Sequence, residues 1–288
     1  MCKVLQIAPS GYRCHAARQR KPELLCARAK SDKALMPQIQ AVWQANMQVY
    51  GADKVWHQMN REGTKVARCT VERLMKRLGL QGVRRGKVVR TTVPDKAAPC
   101  PLDRVNRQFK ADRPNQLWVS DFTYVSTWQG WQYVAFVIDV FARRIVGWRV
   151  SSSMRTDFVL DALEQALFDR QPERSDALIH HSDRGSQYVS ILYTERLAQA
   201  GIEPSVGCRG DSYDNALAET INGLYKAELI HRRAPWKTKE ALELATLQWV
   251  AWFNHHRLLS SIGYIPPAEA EANYYRQLAG KNETEVST

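Results

Sequence analysis

The sequence lacks paired cysteines and long apolar runs. Its six cysteines form no Cys-x-x-Cys pair, and none stands at metal-binding spacing from the histidines, which argues against a structural zinc site or a disulfide framework. No apolar stretch approaches the roughly 18 residues that a membrane-spanning helix needs. The basic N-terminus lacks the apolar segment of a secretory signal. The expected environment is therefore a reducing cytoplasm, with no membrane partner.

Acidic residues are scarce in the first part of the chain. Residues 1–115 hold 24 Lys and Arg but only 8 Asp and Glu, whereas residues 116–288 hold 17 basic and 21 acidic residues. The net charge of +12 is thus concentrated at the front, as in proteins that bind nucleic acid through an N-terminal domain. The alternative is a basic surface that only aids solubility.

Three short helices are predicted in this basic front part. Apolar residues recur there at the spacing of amphipathic helices, and glycines separate the runs. Short helices joined by tight turns, the last of them rich in Arg and Lys, indicate an all-α helix-turn-helix domain over 34–80. An ordinary three-helix bundle with a solvated basic face is the alternative. The predicted helices run near Ala34–Tyr50, over Asp53–Arg61 and from the expected N-cap Thr70 to Gly79.

Basic segments flank this domain on both sides. Residues 1–33 are expected to form a basic arm, and the proline-containing residues 81–113 an extended basic linker. The linker is interpreted either as a solvated tether or as a strap along DNA phosphates. The expected DNA contacts of the domain and the linker are Arg68, Arg73, Lys76, Arg77, Arg84, Arg85 and Arg90.

After residue 113 the apolar pattern changes. Three strands rich in β-branched residues are followed by alternating helices and strands. Among these, a short strand is predicted over Ala177–His181, a helix over Tyr188–Ala200 and a long helix over Asp214–Ile230. This order predicts an α/β ribonuclease-H-like catalytic core, in which a mixed sheet is flanked by helices. The core, with its C-terminal helices, is expected to cover 114–275 and to leave a tail at 276–288.

Three carboxylates stand on three separate predicted elements. Asp121 lies inside an apolar strand, Asp183 at a strand end and Glu219 within a helix, with 35 residues between the last two. Burial of an unpaired carboxylate in an apolar strand costs several kcal/mol unless a cation compensates its charge. These three side chains are therefore the candidate catalytic and metal-binding residues.

The expected cofactor is a pair of Mg²⁺ ions, for which Mn²⁺ can substitute. Mg²⁺ prefers oxygen ligands and is commonly held by one or two carboxylates with water and substrate phosphate. Two such ions about 4 Å apart activate the attacking oxygen and stabilise the leaving oxygen in phosphoryl transfer. Three carboxylates on different elements suit an open site of this kind.

The predicted helix that carries Glu219 has an apolar face and a polar face. The apolar face, with Leu217, Ile221 and Leu224, is expected to pack on the core. The polar face is then available to the substrate, and Lys226 on it is expected to hold DNA beside the metal site. The polar residues are Asn215, which is expected to support the metal ligands, with Glu219, Asn222 and Lys226.

Two further residues near the carboxylates have competing interpretations. His181 alternates with Asp183 along the strand, so it either supports a metal ligand from behind or is a packed core histidine. Asp139 also ends an apolar run. A hairpin turn near Trp128 would place Asp139 about 10 Å along the strand from Asp121, too far for a shared metal. Asp139 is therefore expected to be structural.

Five blocks of sequence, spread over nearly the whole chain, match one pattern. They are Tyr50–Val71, Asp121–Val125, His181–Tyr188, Asp214–Glu219 with Lys226, and Trp252–Pro267. The most specific part is the 35-residue spacing between Asp183 and Glu219, followed by Lys226. On these blocks the chain resembles the OrfB-type transposases of the insertion-sequence-three family, bacterial members of the retroviral-integrase superfamily.

The resemblance implies a DNA transposase. It implies that Asp121, Asp183 and Glu219 are the metal-binding triad, and that a 3′-hydroxyl carries out strand transfer after nicking at the element ends. The expected partners are double-stranded DNA (terminal repeats and target), further copies of the chain on that DNA, and the OrfA-type product of the upstream frame. Such an enzyme is expected in the bacterial cytoplasm, associated with the nucleoid.

Two other functions compete with the transposase prediction. A DNA-binding regulator with an inert core would explain the basic front but not the spacing of the carboxylates. A ribonuclease-H-like nuclease would cut DNA without joining it, although Lys226 and the basic linker argue against this. An assay of DNA joining with Mg²⁺ distinguishes all three.

Overall fold

The described part of the chain forms two units, which are divided after Val83. The computed structural model describes residues 8–84, 86, 110–173, 177–183, 187–188, 190–206 and 216–286. Most of the predicted linker 81–113 lies outside the described residues, as do the predicted site residues Arg85, Arg90 and Asn215.

Within residues 8–83, the N-terminal unit is built from four α-helices. They are α1 (Pro9–Arg20), α2 (Ala27–Ala45), α3 (Ala52–Arg61) and α4 (Arg68–Leu78), with a 3₁₀ turn at Pro22–Leu24. The apolar stripes predicted for the last three helices are buried and form the core of the unit, with Ile39, Val55 and Leu74 fully enclosed. The predicted three-helix core is therefore present, and α1 is an additional helix within the predicted arm.

The first predicted helix, Ala34–Tyr50, is displaced along the chain. α2 begins at Ala27, inside the predicted basic arm. It ends before Tyr50 because Met47 and Gln48 adopt left-handed φ values of 54° and 60°, which take the backbone out of the helical path. The arm is thus partly the first turns of a core helix.

Helix α4 begins three residues earlier than predicted. Its first residue is Arg68, so Thr70 lies in the first turn and is not the N-cap. The indole N–H of Trp56 donates a 2.8 Å hydrogen bond to the carbonyl of Val66, which fixes the chain just before the helix. α4 ends as predicted at Gly79, whose φ of 69° is a conformation that glycine adopts without strain.

A mixed sheet of five strands lies at the centre of the described part of the second unit. Its strands are β1 (Leu117–Thr127), β2 (Gly130–Asp139), β3 (Arg144–Ser151), β4 (Ile179–Ser182) and β5 (Glu203–Val206). The strand order is β3-β2-β1-β4-β5. β1, β2 and β3 are antiparallel neighbours, whereas β4 runs parallel to β1 and to β5. This topology confirms the predicted ribonuclease-H-like core.

Helices cover both faces of the sheet. They are α5 (Thr156–Arg170), α6 (Ile191–Gln199), α7 (Ala216–Tyr225), α8 (His231–Arg233), α9 (Lys239–His255) and α10 (Pro267–Val286). α5 and α6 pack on the face that carries Trp118 and Ala135. On the other face, the ring of Phe136 lies 5.2 Å from Tyr225 of α7 and 6.1 Å from Trp249 of α9. None of the helices in the described ranges is long and apolar enough to cross a membrane.

A close approach of α5 and β3 depends on one glycine. A Cβ atom on Gly147 of β3 would lie 2.1 Å from the carbonyl oxygen of Ala162 in α5. A side chain at this position would therefore push the helix away from the sheet. The sequence pattern for β3 gave no sign of this contact.

Two elements begin later than predicted. β4 begins at Ile179, because Ala177 has a left-handed φ of 48° that is incompatible with a strand. α6 begins at Ile191 and not at Tyr188, because the hydroxyl of Ser190 caps it by accepting a hydrogen bond from the backbone N–H of the third helical residue.

The predicted long helix Asp214–Ile230 changes form before it ends. α7 finishes at Tyr225, and a π-helical turn covers Lys226–Ile230. In this turn Glu228 is buried and accepts hydrogen bonds of 3.0 and 3.1 Å from the Nε of Arg257. The wider turn therefore contains a buried ion pair to the segment after α9.

Candidate catalytic site

Asp121 and Asp183 lie side by side on neighbouring strands. β1 and β4 run parallel, and their register pairs Ser120 with Ser182. Asp121 and Asp183 are the next residues along each chain, where β4 ends. Their backbones are therefore separated by about one strand spacing, ~5 Å.

The carboxylate of Asp121 is held by two neutral donors. The backbone N–H of Phe122 donates a 2.8 Å hydrogen bond to Oδ1, and the side-chain amide of Asn222 donates a 2.9 Å bond to Oδ2. Asn222 is buried on α7, so this bond ties the helix to β1. The sequence placed Asn222 on the polar face with Glu219 but did not assign it this role; its position three residues after Glu219 was the available signal.

Glu219 stands on the same helix, one turn before Asn222. It is exposed, so incoming DNA can reach it. Partial burial and the negative charge of Asp183 raise the pKa of its carboxyl. Burial and the charge of Asp183 also raise the pKa of Asp121 to about 7, with a smaller contribution from Glu219. The three acids, called the carboxylate cluster below, are therefore close enough to repel one another.

The carboxylate cluster is not a preformed metal cage. Among the described residues, no three His, Cys, Asp or Glu side chains stand at distances that would hold a metal ion. The three acids thus interact through their charges without lying at ligand distance from a common point. A metal ion would have to draw them closer.

Lys226 lies beside the carboxylate cluster, at the start of the π-helical turn. Its Nζ is 4.9 Å from the centre of the Tyr124 ring, a cation–π contact. Burial lowers the pKa of Lys226, and the negative charge of Asp121 opposes this effect. The predicted position of Lys226 near the metal site agrees with this geometry, although its role stays a prediction.

Two histidines precede Asp183 in β4. His181 is fully buried, and its Nδ1 lies 2.9 Å from the hydroxyl oxygen of Ser205 in β5. The Nε2 of His180 lies 2.8 Å from the hydroxyl of Ser120 and 3.0 Å from that of Tyr193. Burial lowers the pKa of His180 to about 3, so its ring is neutral. These contacts join β1, β4, β5 and α6 beneath the carboxylates.

Tyr188 is a neighbour of the aspartates that sequence reasoning missed. Its ring is buried and packs 5.4 Å from Tyr193 and 6.2 Å from Phe122. Burial raises the pKa of its hydroxyl well above the ordinary value, and the charges of Asp121 and Asp183 add to this effect. Its position in the His181–Tyr188 block was the signal in the sequence.

Matches to known families cover both units. Residues 111–212 and 200–267 each match an integrase core domain, and residues 30–88 match an HTH-like domain. The chain is 60% identical over 279 residues to the transposase for insertion sequence element IS629 of Shigella sonnei, covering 96% of this chain and 92% of the relative. It is 58% identical over 276 residues to the putative transposase for IS986/IS6110 of Mycobacterium tuberculosis (strain CDC 1551 / Oshkosh), covering 95% and 98%. Transposase InsF for IS3A of Escherichia coli (strain K12) is 29% identical over 272 residues, covering 94% and 92%.

The chain belongs to this family of insertion-sequence transposases. The predicted resemblance to insertion-sequence-three transposases is confirmed, as is an N-terminal helix-turn-helix-like domain before an integrase core. The transposase is thus a polynucleotidyl transferase that acts on DNA.

Solved structures with a similar fold are more distant. The HTLV-2 integrase catalytic core domain in complex with magnesium (trimeric form) is 16% identical, with a TM-score of 0.45 over 56% of this chain and 99% of that one. The simian T-cell lymphotropic virus intasome in complex with PP2A regulatory subunit B56 gamma gives 15% identity and a TM-score of 0.47 over 75% and 70%.

The predicted DNA contacts in the transposase's N-terminal unit, and at Arg84 just after it, differ in their surroundings. Arg73 of α4 donates hydrogen bonds of 2.7 and 2.8 Å to the carboxylate of Asp32 in α2. This hydrogen bonding lowers the pKa of Asp32, which is mostly buried. Arg73 therefore links two helices, a role that the sequence did not predict because Asp32 was assigned to the arm. The other described members of the set are exposed: Arg68, Lys76, Arg77 and Arg84.

Proposed function

We propose that this transposase cuts DNA at the ends of its insertion sequence and joins the freed 3′-hydroxyl to target DNA, using Asp121, Asp183 and Glu219 as ligands of two divalent metal ions. The placement of these acids is the observation that carries the proposal. The register of β1 and β4 sets Asp121 beside Asp183, and Asn222, one turn after Glu219, donates a hydrogen bond to Asp121. Burial raises the pKa of Asp121 to about 7, and the charges of Asp183 and, less strongly, Glu219 add to this effect. Crowded carboxylates of this kind favour a cation, because a cation removes their mutual repulsion.

Magnesium suits this set of donors. Mg²⁺ takes oxygen ligands and is commonly bound by one or two carboxylates together with water and substrate phosphate, and Mn²⁺ accepts the same ligand types. We expect binding to draw the exposed Glu219 toward the two aspartates. When bound, the ions would activate the attacking oxygen and stabilise the leaving oxygen.

The chain's own residues orient this site. The hydrogen bonds from Phe122 and Asn222 engage both oxygens of Asp121 and so restrict its rotation. Lys226 is proposed to hold the DNA end beside the scissile phosphate as a point charge. Two residues are proposed to support the metal ligands from behind: His181 and Asn215.

The N-terminal unit is proposed to recognise the element ends. A net positive front and a helix-turn-helix-like domain favour binding through phosphate contacts, which release counterions. Arg73 is assigned to the ion pair with Asp32 and not to DNA. The proposed contacts are Arg68, Lys76, Arg77, Arg84, Arg85 and Arg90.

Assembly with other chains is a further part of the proposal. Members of the family typically act as fusions with the OrfA-type upstream product, and joining two element ends requires that both be held together. We therefore propose that the transposase works in the cytoplasm on nucleoid DNA, as a homo-oligomer and with that product. Sedimentation of the chain with and without element-end DNA measures the oligomer.

A joining assay tests the proposed chemistry. Labelled duplexes with the element's own ends are incubated with the protein and a target plasmid, with Mg²⁺, with Mn²⁺ or with a chelator. Cleavage and joining that require Mg²⁺ or Mn²⁺ are expected. Cleavage without joining would point to a simple nuclease, and duplex binding without either reaction would point to a regulator. If the chain alone shows no reaction, the OrfA-type product is added. Cleavage and joining that appear only then would show that the enzyme requires this product.

A further inference from the structure

Three large aromatic side chains are exposed at the tip of the β1–β2 hairpin. Tyr124 is 57% exposed, Trp128 69% and Trp131 56%. Side chains of this size are normally buried, and an exposed group of them marks an interaction site more often than a bare surface. We call these three residues the aromatic hairpin surface.

The aromatic hairpin surface is held in a fixed shape. The rings of Tyr124 and Trp131 meet edge to face at 5.3 Å. The backbone N–H of Trp128 donates a 3.0 Å hydrogen bond to the carbonyl of Trp236, whose own side chain is buried. The side chain of Gln129 accepts a 2.9 Å hydrogen bond from the backbone N–H of Lys239. The hairpin is therefore anchored to the segment before α9, and a partner would meet a preorganised surface.

Two lysines lie against these rings. Lys226 Nζ is 4.9 Å from the centre of the Tyr124 ring, and Lys237 Nζ is 5.3 Å from that of Trp128. In the π-helical turn that carries Lys226, the acid Glu228 is buried in its ion pair with Arg257 and adds no exposed negative charge. The exposed surface thus combines aromatic faces with cations.

This combination is the chemistry that recognises single-stranded nucleic acid. Bases stack on exposed aromatic rings whatever their identity, while nearby cations follow the phosphates. Double-stranded DNA offers no free base faces to such rings. A protein partner could also bind the aromatic rings, but the two lysines over them favour a partner that carries phosphates.

The surface lies close to the carboxylate cluster. Tyr124 follows Asp121 by three residues in β1, about 10 Å along the strand. Lys226 belongs to both sites, because it contacts the Tyr124 ring and interacts electrostatically with Asp121. We propose that the aromatic hairpin surface stacks unpaired bases of a DNA strand that leaves the catalytic site. This deepens the proposed function, because it names frayed or single-stranded DNA at the element end as part of the substrate.

Binding of the full-length protein to simple probes tests the proposal. The probes are fluorescein-labelled oligothymidine and a blunt duplex of unrelated sequence, without metal. Trp128→Ala and Trp131→Ala should each weaken oligothymidine binding about 5- to 150-fold, the range measured for loss of one stacked base. Duplex binding should change less than about twofold. The matched control is Phe168→Ala, which removes an 83% exposed aromatic residue from the end of α5 and should leave both affinities unchanged.

Further variants separate stacking from charge. Trp131→Phe should keep most of the affinity, because it keeps an aromatic face. Lys237→Ala should lower the slope of log affinity against log salt by about 0.7, whereas the tryptophan variants leave that slope unchanged. Ultraviolet cross-linking of an iodouracil-containing oligonucleotide to the unmutated protein should map to the hairpin, which tests the surface even where an alanine variant folds poorly.

Several outcomes would overturn the inference. Equal loss of duplex and single-strand binding, cross-links only outside the hairpin, or altered self-association with unchanged oligonucleotide affinity would each do so; the last would assign the surface to a protein interface. Because these measurements use no metal and no catalysis, they can fail while the carboxylate assignment stands. An active Asp121→Asn variant would sink that assignment without affecting them.

Discussion

Two groups of acids meet the β1–β2 hairpin, one at Asp121 in β1 and one at Asp139 in β2, and they differ in what neutralises them. At the end of β2, Asp139 lies 3.2 Å from the guanidinium of Arg170, which also contacts Glu271. Arg144 meets Glu271 at 2.6 Å. We call this group the arginine-paired cluster. The carboxylate cluster, by contrast, gathers acids beside acids, and the two donors to Asp121 are uncharged.

The difference separates a structural from a functional use of buried acids. Burial raises the pKa of Asp139, but Arg170 and two backbone N–H groups oppose the shift. Arg170 gives Asp139 a cationic partner within the protein, although the pKa of Asp139 stays above its ordinary value. The two hydrogen-bond donors of Asp121 are uncharged, so a cation or a proton from outside would relieve its repulsion by Asp183 and Glu219. An acid that the fold leaves electrostatically strained is therefore the better candidate for catalysis.

The largest expected effect is loss of the reaction when the carboxylate cluster is neutralised. Asp121→Asn, Asp183→Asn and Glu219→Gln should each lower end cleavage and joining by about 1,000-fold or more, because each removes a proposed metal ligand at nearly constant volume. Duplex binding should persist. Asp161→Asn, an exposed acid on α5, is the control and should join DNA at the parent rate. Near-normal joining by any one of the three variants would break the assignment.

This contrast could be predicted only in part from the sequence. The hairpin register was predictable, and β1 pairs Trp118 with Asp139, three residues from Asp121, as expected. The structural role of Asp139 is confirmed by its contacts. The second acid of this cluster, Glu271, was not predictable, because it comes from a helix that is remote in sequence.

The remaining errors, in the predicted ends of helices and strands, come from local backbone conformations and from contacts remote in sequence. A left-handed residue at Met47 ended α2 early, and another at Ala177 delayed β4, although neither residue type signals such a conformation. The π-helical turn holds Glu228, whose ion pair with Arg257 joins residues 29 positions apart in the sequence. Propensity and periodicity describe single elements, so they did not include contacts that form only in the folded chain.

Among these variants, removal of Arg170 from the arginine-paired cluster should lower the free energy of unfolding most. Arg170→Leu leaves Asp139 and Glu271 buried without this partner, and we expect a loss of about 3–5 kcal/mol in the free energy of unfolding. Denaturant titration measures it. Arg149→Leu, which breaks the exposed ion pair with Asp161, should cost less than about 1 kcal/mol. Equal losses in the two variants would show that burial of the pair does not matter.

The free energy of unfolding should also depend on pH through Asp121 of the carboxylate cluster. The pKa of Asp121 is about 7 in the folded protein against 3.8 ordinarily, so the folded state retains a proton that the unfolded state releases. In metal-free protein the free energy of unfolding should therefore fall as pH rises from about 4 to 7, by at most about 4 kcal/mol. Chemical unfolding at a series of pH values measures the fall. Asp121→Asn should flatten the profile, and a parent profile that rises through this range would contradict the pKa shift.

Lys226 should affect DNA more than the protein. Lys226→Ala is expected to slow joining about tenfold or more, the value of one charged hydrogen bond, and to lower the salt slope of DNA binding by about one. Lys226→Arg should retain much of the activity, because a point charge is sufficient. Joining rates and salt titrations of both variants, beside Glu219→Gln, provide the measurement. Parent-like values for the alanine variant would make Lys226 an ordinary surface lysine.

The smallest expected effect carries the comparison into the N-terminal unit, where Arg73 is paired and its neighbour Arg77 is exposed. Arg77→Ala in the full chain should lower the slope of log affinity against log salt for element-end duplex by about 0.9, the contribution of one phosphate contact. Arg73→Ala should leave that slope unchanged and lower the thermal unfolding midpoint of the unit, because Asp32 would remain between helices without its guanidinium. Fluorescence anisotropy at several salt concentrations and thermal unfolding of both variants measure the two effects. If Arg73→Ala lowers the slope and Arg77→Ala lowers the midpoint, ion pairing does not separate structural from DNA-binding arginines here.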